Sequence, residues 1–489
     1  MNRSVRLPLN RAEWVCVAFA AVVAHAFLLH EWFFPSAWDA QSYVDIAKDI
    51  AERGLIRKFH GSDFRTYGYP FTVSLVFRAA AWTGVSFVLL LFELQFLAYC
   101  GAALFLRRSL VPIGANAARI VFGGVLVNFY ALIYTPESLT ESISLTLLVF
   151  TAGWWVRLWR DGITAWPLLA GSVTVGFALM VRPANAFMIA AWVFGFVLLT
   201  WRQRPPVARA LLHAILLVLA VALPMAPQIR NNVIHYAKWS PMVFADLGQL
   251  QQSLGVQNLK YATALPPVPR APVYYNNPLY AGTTLDEGAP WSWYLDYPLR
   301  GAATIALHTF NLTDQDLLFT YSRDLAPWYR VPLGIVNHAV VALGLLGIVL
   351  LGRRVYAAGD LRWRDAYLTL FALIGANLAV YAWTAVEMRF GSVLLLVLFP
   401  LAGYAVLRVA ATPGARAKRA VALGTAAYVV LALALSAWVR DQSALIRESR
   451  ATLPAARVAD MVCCAPATDD SAGEAAPAGS HSHPRGFAG

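Results

Sequence analysis

Charge is scarce in this sequence. Asp, Glu, Lys and Arg make up 13% of the 489 residues, about half of what a soluble domain carries. Meanwhile 59% of the residues are hydrophobic and the mean hydropathy is +0.55. That excludes an ordinary water-soluble fold and points to a chain built for lipid. Cysteine is scarce too. Of the four, Cys16 and Cys100 sit in apolar runs, and Cys463 and Cys464 are adjacent, where a bridge would be strained. The sequence has no disulfide scaffold, no C-x-x-C and no Cys/His cluster of zinc spacing. It also has no Gly-rich phosphate loop and no dinucleotide fingerprint, which argues against a nucleotide donor. No internal repeat is evident, which weakens an inverted-repeat transporter.

What is present is apolar length with charge at its ends. The net charge of +12 comes from 39 Lys and Arg against 27 Asp and Glu. In a membrane chain this excess reflects cytoplasmic loops and anionic headgroups. Nucleic acid is not expected as a partner, because no basic run is interleaved with aromatics. Arginine far outnumbers lysine, which hints at a GC-rich, bacterial genome. Arg3, Arg6 and Arg11 precede an apolar run long enough to span and without a small-residue cleavage site, so an uncleaved anchor is expected. Spans are expected near 13–34, 85–106, 116–134, 138–158, 163–181, 184–201, 208–228, 331–352, 365–385, 390–410 and 420–438. The positive-inside rule puts all the basic clusters on one face only if 69–84 does not cross. The expectation is an all-α polytopic membrane bundle of eleven spans, or twelve if 69–84 crosses.

Four regions follow. Residues 1–228 form an N-terminal transmembrane bundle whose first outer loop runs over 35–84. Residues 229–330 form an outer loop, rich in Pro, Tyr and Trp, suited to lying on headgroups. Residues 331–440 add C-terminal spans, and the Ala/Gly/Pro/Ser-rich tail, 441–489, is expected to be largely disordered.

The first outer loop concentrates the polar chemistry: Asp39, Asp45, Asp49, Glu52 and Asp63 stand beside Arg53, Arg57, Lys58, His60 and Arg65. Ser36 to Asp39 fits a capping box, so Asp39 reads equally as a cap. So does Glu141 in Ser138-Leu139-Thr140-Glu141. On a helix starting at Asp39, however, Asp39, Tyr43, Ile46, Ala47 and Ile50 share one face. A carboxylate buried there would have a raised pKa and serve as a base. Arg182 and Arg230 read as interfacial snorkels or as forks for a phosphate oxygen. Glu387 and Arg389 lie between two spans, where charges usually pair or line a cavity.

Several stretches, in order, resemble the GT-C glycosyltransferases, and most closely the lipid A aminoarabinose transferases and protein O-mannosyltransferases. D-A-Q-S-Y-V-D-I-A (Asp39 to Ala47) is similar to that family's first-loop signature, and Tyr67-Gly68-Tyr69-Pro70 to its G-x-P element. P-E-S-L-T-E-S, L-M-V-R-P with Arg182, P-Q-I-R-N-N with Arg230, and V-E-M-R-F follow across residues 13–410. Gln228 stands where the family has Trp, and Phe390 where it has Tyr.

The resemblance implies inverting transfer of a sugar from a polyprenyl-phosphate donor to an acceptor at the periplasmic face of a bacterial inner membrane. Asp39 would be the base. Tyr43, Lys58, His60, Tyr67, Glu141, Arg182, Arg230, Glu387 and Arg389 would bind substrate. No metal and no other cofactor is expected. Two alternatives stay open: a lipid-linked sugar flippase or transporter, and an O-antigen polymerase or ligase, for which His308 and Arg323 would be candidates.

Overall fold

A computed structural model describes residues 8–33, 38–58, 65–242, 247–265, 272–286 and 288–443. Ser36, His60, Asp63, the Cys463-Cys464 pair and the tail from 444 onward lie outside the described residues. The helices, in order, are α1 (Arg11–Phe33), α2 (Asp39–Arg53), α3 (Gly68–Thr83), α4 (Phe87–Leu110), α5 (Ala115–Leu126), α6 (Phe129–Leu132), α7 (Thr140–Asp161), α8 (Ala165–Val181), α9 (Ala186–Gln203), α10 (Val207–Ala222), α11 (Ala226–Tyr236) and α12 (Leu247–Gln257). After these come α13 (Ser292–Asp296), α14 (Pro298–Thr313), α15 (Arg330–Ala357), α16 (Leu361–Tyr381), α17 (Ser392–Ala411) and α18 (Ala415–Asp441). Four short strands interrupt them: β1 (Asn258–Ala264), β2 (Pro272–Asn276), β3 (Tyr321–Ser322) and β4 (Val386–Glu387).

The chain is a polytopic membrane protein dominated by helix. Eight helices among the described residues are long and apolar enough to cross a membrane: Arg11–Glu31, Phe87–Leu110, Thr140–Asp161, Pro183–Gln203, Val207–Tyr236, Arg330–Ala357, Met388–Ala411 and Ala415–Asp441. The other three expected spans are shorter or more polar. The 116–134 segment breaks at Asn128, whose Oδ1 accepts from the Tyr130 amide at 3.1 Å and whose Nδ2 donates to the Leu395 carbonyl at 3.3 Å. An Asn that bonds its local backbone ends one helix and caps the next. Helix α8 has 17 residues, and α16 opens with Arg362, Arg364 and Asp365.

At the start of α1, Asn10 and Glu13 cap each other's amides at 2.8 and 2.9 Å, a reciprocal box. The Glu13 carboxylate also takes a bidentate pair from Arg107 at 2.6 and 3.0 Å. This buried pair clamps α1 to α4.

The amphipathic α2 behaves as its spacing predicts. Ala40, Tyr43 and Ala47 pack with Tyr69 and Val73 of α3 and with Leu91, Leu139 and Val181, while Ile46 and Ile50 pack with Leu55 and Phe71. In the 229–330 segment, β1 is central: β2 pairs with it antiparallel, and β3 and β4 pair with it in parallel. Tyr261 sits opposite Glu387 in that ladder.

Two glycines permit the close approaches that bring these pieces together. A Cβ at Gly68 would stand 2.5 Å from the Met180 carbonyl carbon, and one at Gly391 would collide with the Leu312 carbonyl oxygen. Gly68 therefore seats α3 beside the strand-like turn at Arg182, and Gly391 seats the Glu387–Arg389 turn against α14. Gly403, within α17, has nothing within 4 Å. Gly391→Ala is expected to cost about 1–3 kcal/mol through overpacking and to lower the melting temperature in detergent. Gly403→Ala is expected to leave it unchanged or raise it.

Candidate active site

The first residue of α2 is Asp39, and the residue before it, Trp38, has φ 56°. A bulky side chain in the left-handed region is strained, and such strain collects at functional sites. No side chain caps α2, and none caps α7, whose N-cap residue is Leu139. Both carboxylates face arginines, while Ser36, the other half of the box expected at Asp39, lies outside the described residues.

Asp39 Oδ1 accepts from Arg65 Nη2 at 2.5 Å and Oδ2 accepts from Arg389 Nη2 at 2.6 Å. Arg65 also donates to the Tyr43 hydroxyl at 2.9 Å and lies 4.6 Å over that ring. Arg389 Nε donates to Glu387 Oε2 at 2.5 Å and stands 3.6 Å from Glu141 Oε1. Arg182 Nη1 donates to the same Glu141 oxygen at 2.6 Å, and its guanidinium lies 4.9 Å from the Phe390 ring centroid and 5.8 Å from that of Tyr381. Glu387 is steadied by the Tyr261 hydroxyl at 3.1 Å and the Thr263 hydroxyl at 3.3 Å.

Three carboxylates and three guanidiniums thus alternate through the site. The Coulomb energy of each contact grows as water is excluded. That changes one expectation. Burial opposes ionisation of Asp39, but Arg389 and Arg65 outweigh it and hold the carboxyl well below the ordinary aspartate range. The raised pKa predicted from burial alone is not found, because two cations face the group. Glu387 goes the other way: its burial pushes the carboxyl up despite Arg389.

The structure therefore gathers Asp39, Tyr43, Glu141, Arg182, Glu387 and Arg389. Tyr67 stands beside them in a supporting position. Its amide donates to Gln228 Oε1 at 2.9 Å and its hydroxyl to the Pro224 carbonyl at 2.6 Å, tying the start of α3 to α11. Lys58 and Arg230 are exposed and outside the cluster, with Lys58 over the Tyr236 ring at 5.5 Å. His60 is outside the described residues. His308 is buried with both ring nitrogens against backbone carbonyls, those of Ala382 at 2.9 Å and Asn258 at 3.1 Å, which is a structural placement. Arg323 is exposed.

Sequence reasoning missed Arg65, Tyr261 and Thr263 as site residues. Arg65 was visible as a cation in an acidic loop, three residues before Gly68. Tyr261 and Thr263 carried a period-two signal, since L-K-Y-A-T-A alternates sides as a strand does.

Two clefts flank the cluster. One, of about 330 Å³ counting space open to solvent, runs between α2 and α11 and is lined by Ile46, Ile50, Arg65, Tyr67, Gln228 and Asn231. The other, of about 260 Å³ on the same measure, reaches Glu387 and Arg389 from Lys260 and Asp316. Among the described residues, no three His, Cys, Asp or Glu side chains are grouped to hold a metal ion.

No protein-family model matches the sequence, and no curated protein matches it. Among solved structures the chain is similar to the archaeal oligosaccharyltransferase AglB from Archaeoglobus fulgidus in complex with an inhibitory peptide and a dolichol-phosphate. The TM-score is 0.47 at 13% identity, covering 88% of this chain and 56% of that one. The A. fulgidus oligosaccharyltransferase tethered to an acceptor peptide containing the NVT sequon gives a TM-score of 0.47 at 14% identity, over 87% of this chain and 53% of that one. Its apo form gives 0.48 at 13% identity, over 87% and 54%. The chain spans little more than half the length of these structures.

The pairing geometry sets two expected outcomes. Arg389→Met leaves buried Glu387 without a cation and takes one of two from Asp39 and Glu141, and should cost about 3–5 kcal/mol, with partial rescue by Glu387→Gln, read by thermal unfolding in detergent. Because the folded-state pKa of Asp39 is depressed, its contribution is present above the ordinary aspartate value of 3.8 and is lost as pH falls below it. The melting-temperature gap between wild type and Asp39→Asn should therefore be fully open at pH 7 and begin to narrow only below pH 3.8, with most of it still present at pH 3.

Proposed function

We propose that the chain is a membrane glycosyltransferase of the GT-C kind. It moves a sugar from a polyprenyl-phosphate donor to an acceptor on the periplasmic face of a bacterial inner membrane. The observation that supports this best is Asp39 held between Arg65 and Arg389, with Arg182 one carboxylate further on, among the motifs that resemble that family. Displacement at the anomeric carbon breaks its bond to the phosphate oxygen, and the electron pair leaves with the phosphate. A new bond forms from the acceptor with inversion, and the acceptor proton passes to Asp39.

Negative charge grows on the departing phosphate, so guanidiniums aimed at its oxygens lower the barrier. Arg389, Arg65 and Arg182 supply them. The arginines that bind phosphate are also those that suppress Asp39 basicity. As donor oxygens take up their N–H groups, one Asp39 oxygen is released to accept a proton. Tyr43 orients Arg65, Glu141 orients Arg182, and Glu387 orients Arg389. Tyr67 holds the loop in place. Lys58, His60 and Arg230 are candidates for headgroup or acceptor contacts, and the exposed Trp239, Trp291 and Trp328 suit an outer segment resting on headgroups. Membrane lipid is then a partner as well as a solvent.

The test uses purified protein in proteoliposomes with radiolabelled polyprenyl-phosphate arabinose, mannose or glucose and membrane extract as acceptor. Wild type should consume one donor. Asp39→Asn should slow transfer by at least about 100-fold, the range for losing a general base, while still binding donor. Normal turnover by that variant sinks the assignment of the base. Label that crosses the bilayer still attached to its lipid means a flippase and overturns the transferase reading.

A further inference from the structure

Glu137 lies in the turn between α6 and α7, four residues before Glu141, and the reaction above does not use it. Its side chain is buried, with the residue 1% exposed, and Oε2 meets no hydrogen-bond partner. The turn itself is fixed: Gln95 Nε2 of α4 donates to the carbonyls of Thr135 at 2.9 Å and Glu137 at 3.1 Å. Around the side chain stand Glu31 of α1, Glu141 of α7, Glu387 of β4 and Arg389, together with Tyr69 of α3, Tyr134 of its own turn and Tyr321 of β3. Glu31 has His30 3.7 Å away.

Among the described residues, Arg389 is the cation that acts most strongly on Glu137, and it is already shared by Asp39, Glu387 and Glu141. An ionised Glu137 would be a buried carboxylate without a counter-ion of its own, a state that proteins avoid by neutralising the group.

We propose that Glu137 carries a proton at neutral pH and is a positioning residue of the site. As a neutral acid it leaves Arg389 to Asp39 and Glu141, whereas as an anion it competes for that guanidinium and loosens the Asp39 arm. Burial, with Glu31 and Glu141 nearby, pushes its carboxyl well above the ordinary glutamate range, in line with the geometry. The proposal does not depend on which reaction the site performs, so its test needs no substrate.

The sign follows from linkage. A carboxyl with a raised folded-state pKa costs the folded protein nothing below its ordinary value of 4.5 and progressively more as pH rises towards the folded value. Glu137→Gln keeps the shape and removes the titration. In thermal unfolding of the full chain in detergent, E137Q should match wild type at pH 4 and exceed it by roughly 2 °C or more at pH 8. A gap that stays flat, or that opens in favour of wild type as pH rises, overturns the proposal, since the latter means an ionised and paired Glu137. Infrared difference spectra provide a second measurement at pH 7. Wild type should show the carbonyl band of a buried protonated carboxylic acid, and E137Q should lose it. A band unchanged by the substitution also overturns the assignment.

Discussion

One guanidinium, that of Arg389, meets carboxylates from three distant parts of the chain, and the site is arranged around it. Asp39 arrives on the first helix after α1, Glu141 opens α7, and Glu387 ends the short strand β4. None of the three acids would tolerate this depth alone, because each buried charge without a partner costs several kcal/mol. Shared around Arg389, with Arg65 and Arg182 at the flanks, the charges balance. The same balance makes the site responsive: an anion that enters must take N–H groups already committed to carboxylates.

A second buried network holds that arrangement from behind. Lys260 Nζ lies 2.7 Å from Asp316 and 3.2 Å from Asp314. Arg330 of α15 pairs with Asp316 at 2.6 Å, and Ser436 of α18 donates to Asp314 at 2.9 Å. Lys260 precedes Tyr261 on β1, and the strand's alternation sends Lys260 to this network while Tyr261 and Thr263 reach Glu387 on the other side. The 229–330 segment is therefore fastened to α15 and α18 on one face and grips the Arg389 turn with the other. Arg330 also donates to the Leu325 carbonyl, which closes the loop leading into α15.

What was readable beforehand was whatever has a local period. The helical face of α2 was legible because Tyr43, Ile46, Ala47 and Ile50 recur at helical spacing, and the spans because long apolar runs have few other uses. Individual site members stood out as charges in an uncharged context. Their pairing did not: Asp39 and Arg389 are 350 positions apart, and nothing in either neighbourhood says which of several arginines meets which acid. The expected protonation of Asp39 went astray for that reason, since burial without its partners predicts the opposite shift. The break at Asn128 and the small sheet were hidden by apolar surroundings that fit either state.

The depth at which these charges sit bears on what the protein can do. Translocation of a charged lipid headgroup needs polar groups distributed along the path it travels. Here the arginines and acids gather at one level, at the ends of α8 and α7 and in the turns before α3 and α17, and they neutralise each other there. Under the proposed reading such a site would hold a phosphate at one depth rather than relay it. It would also couple capture to reactivity, because the interaction that binds the phosphate would be the one that restrains the carboxylate beside it. Asp39 would be a weak base until donor binding redistributes its two arginines, so proton abstraction from an acceptor would await the arrival of the sugar. A network drawn this tight serves a reaction with two substrates better than a passage for one.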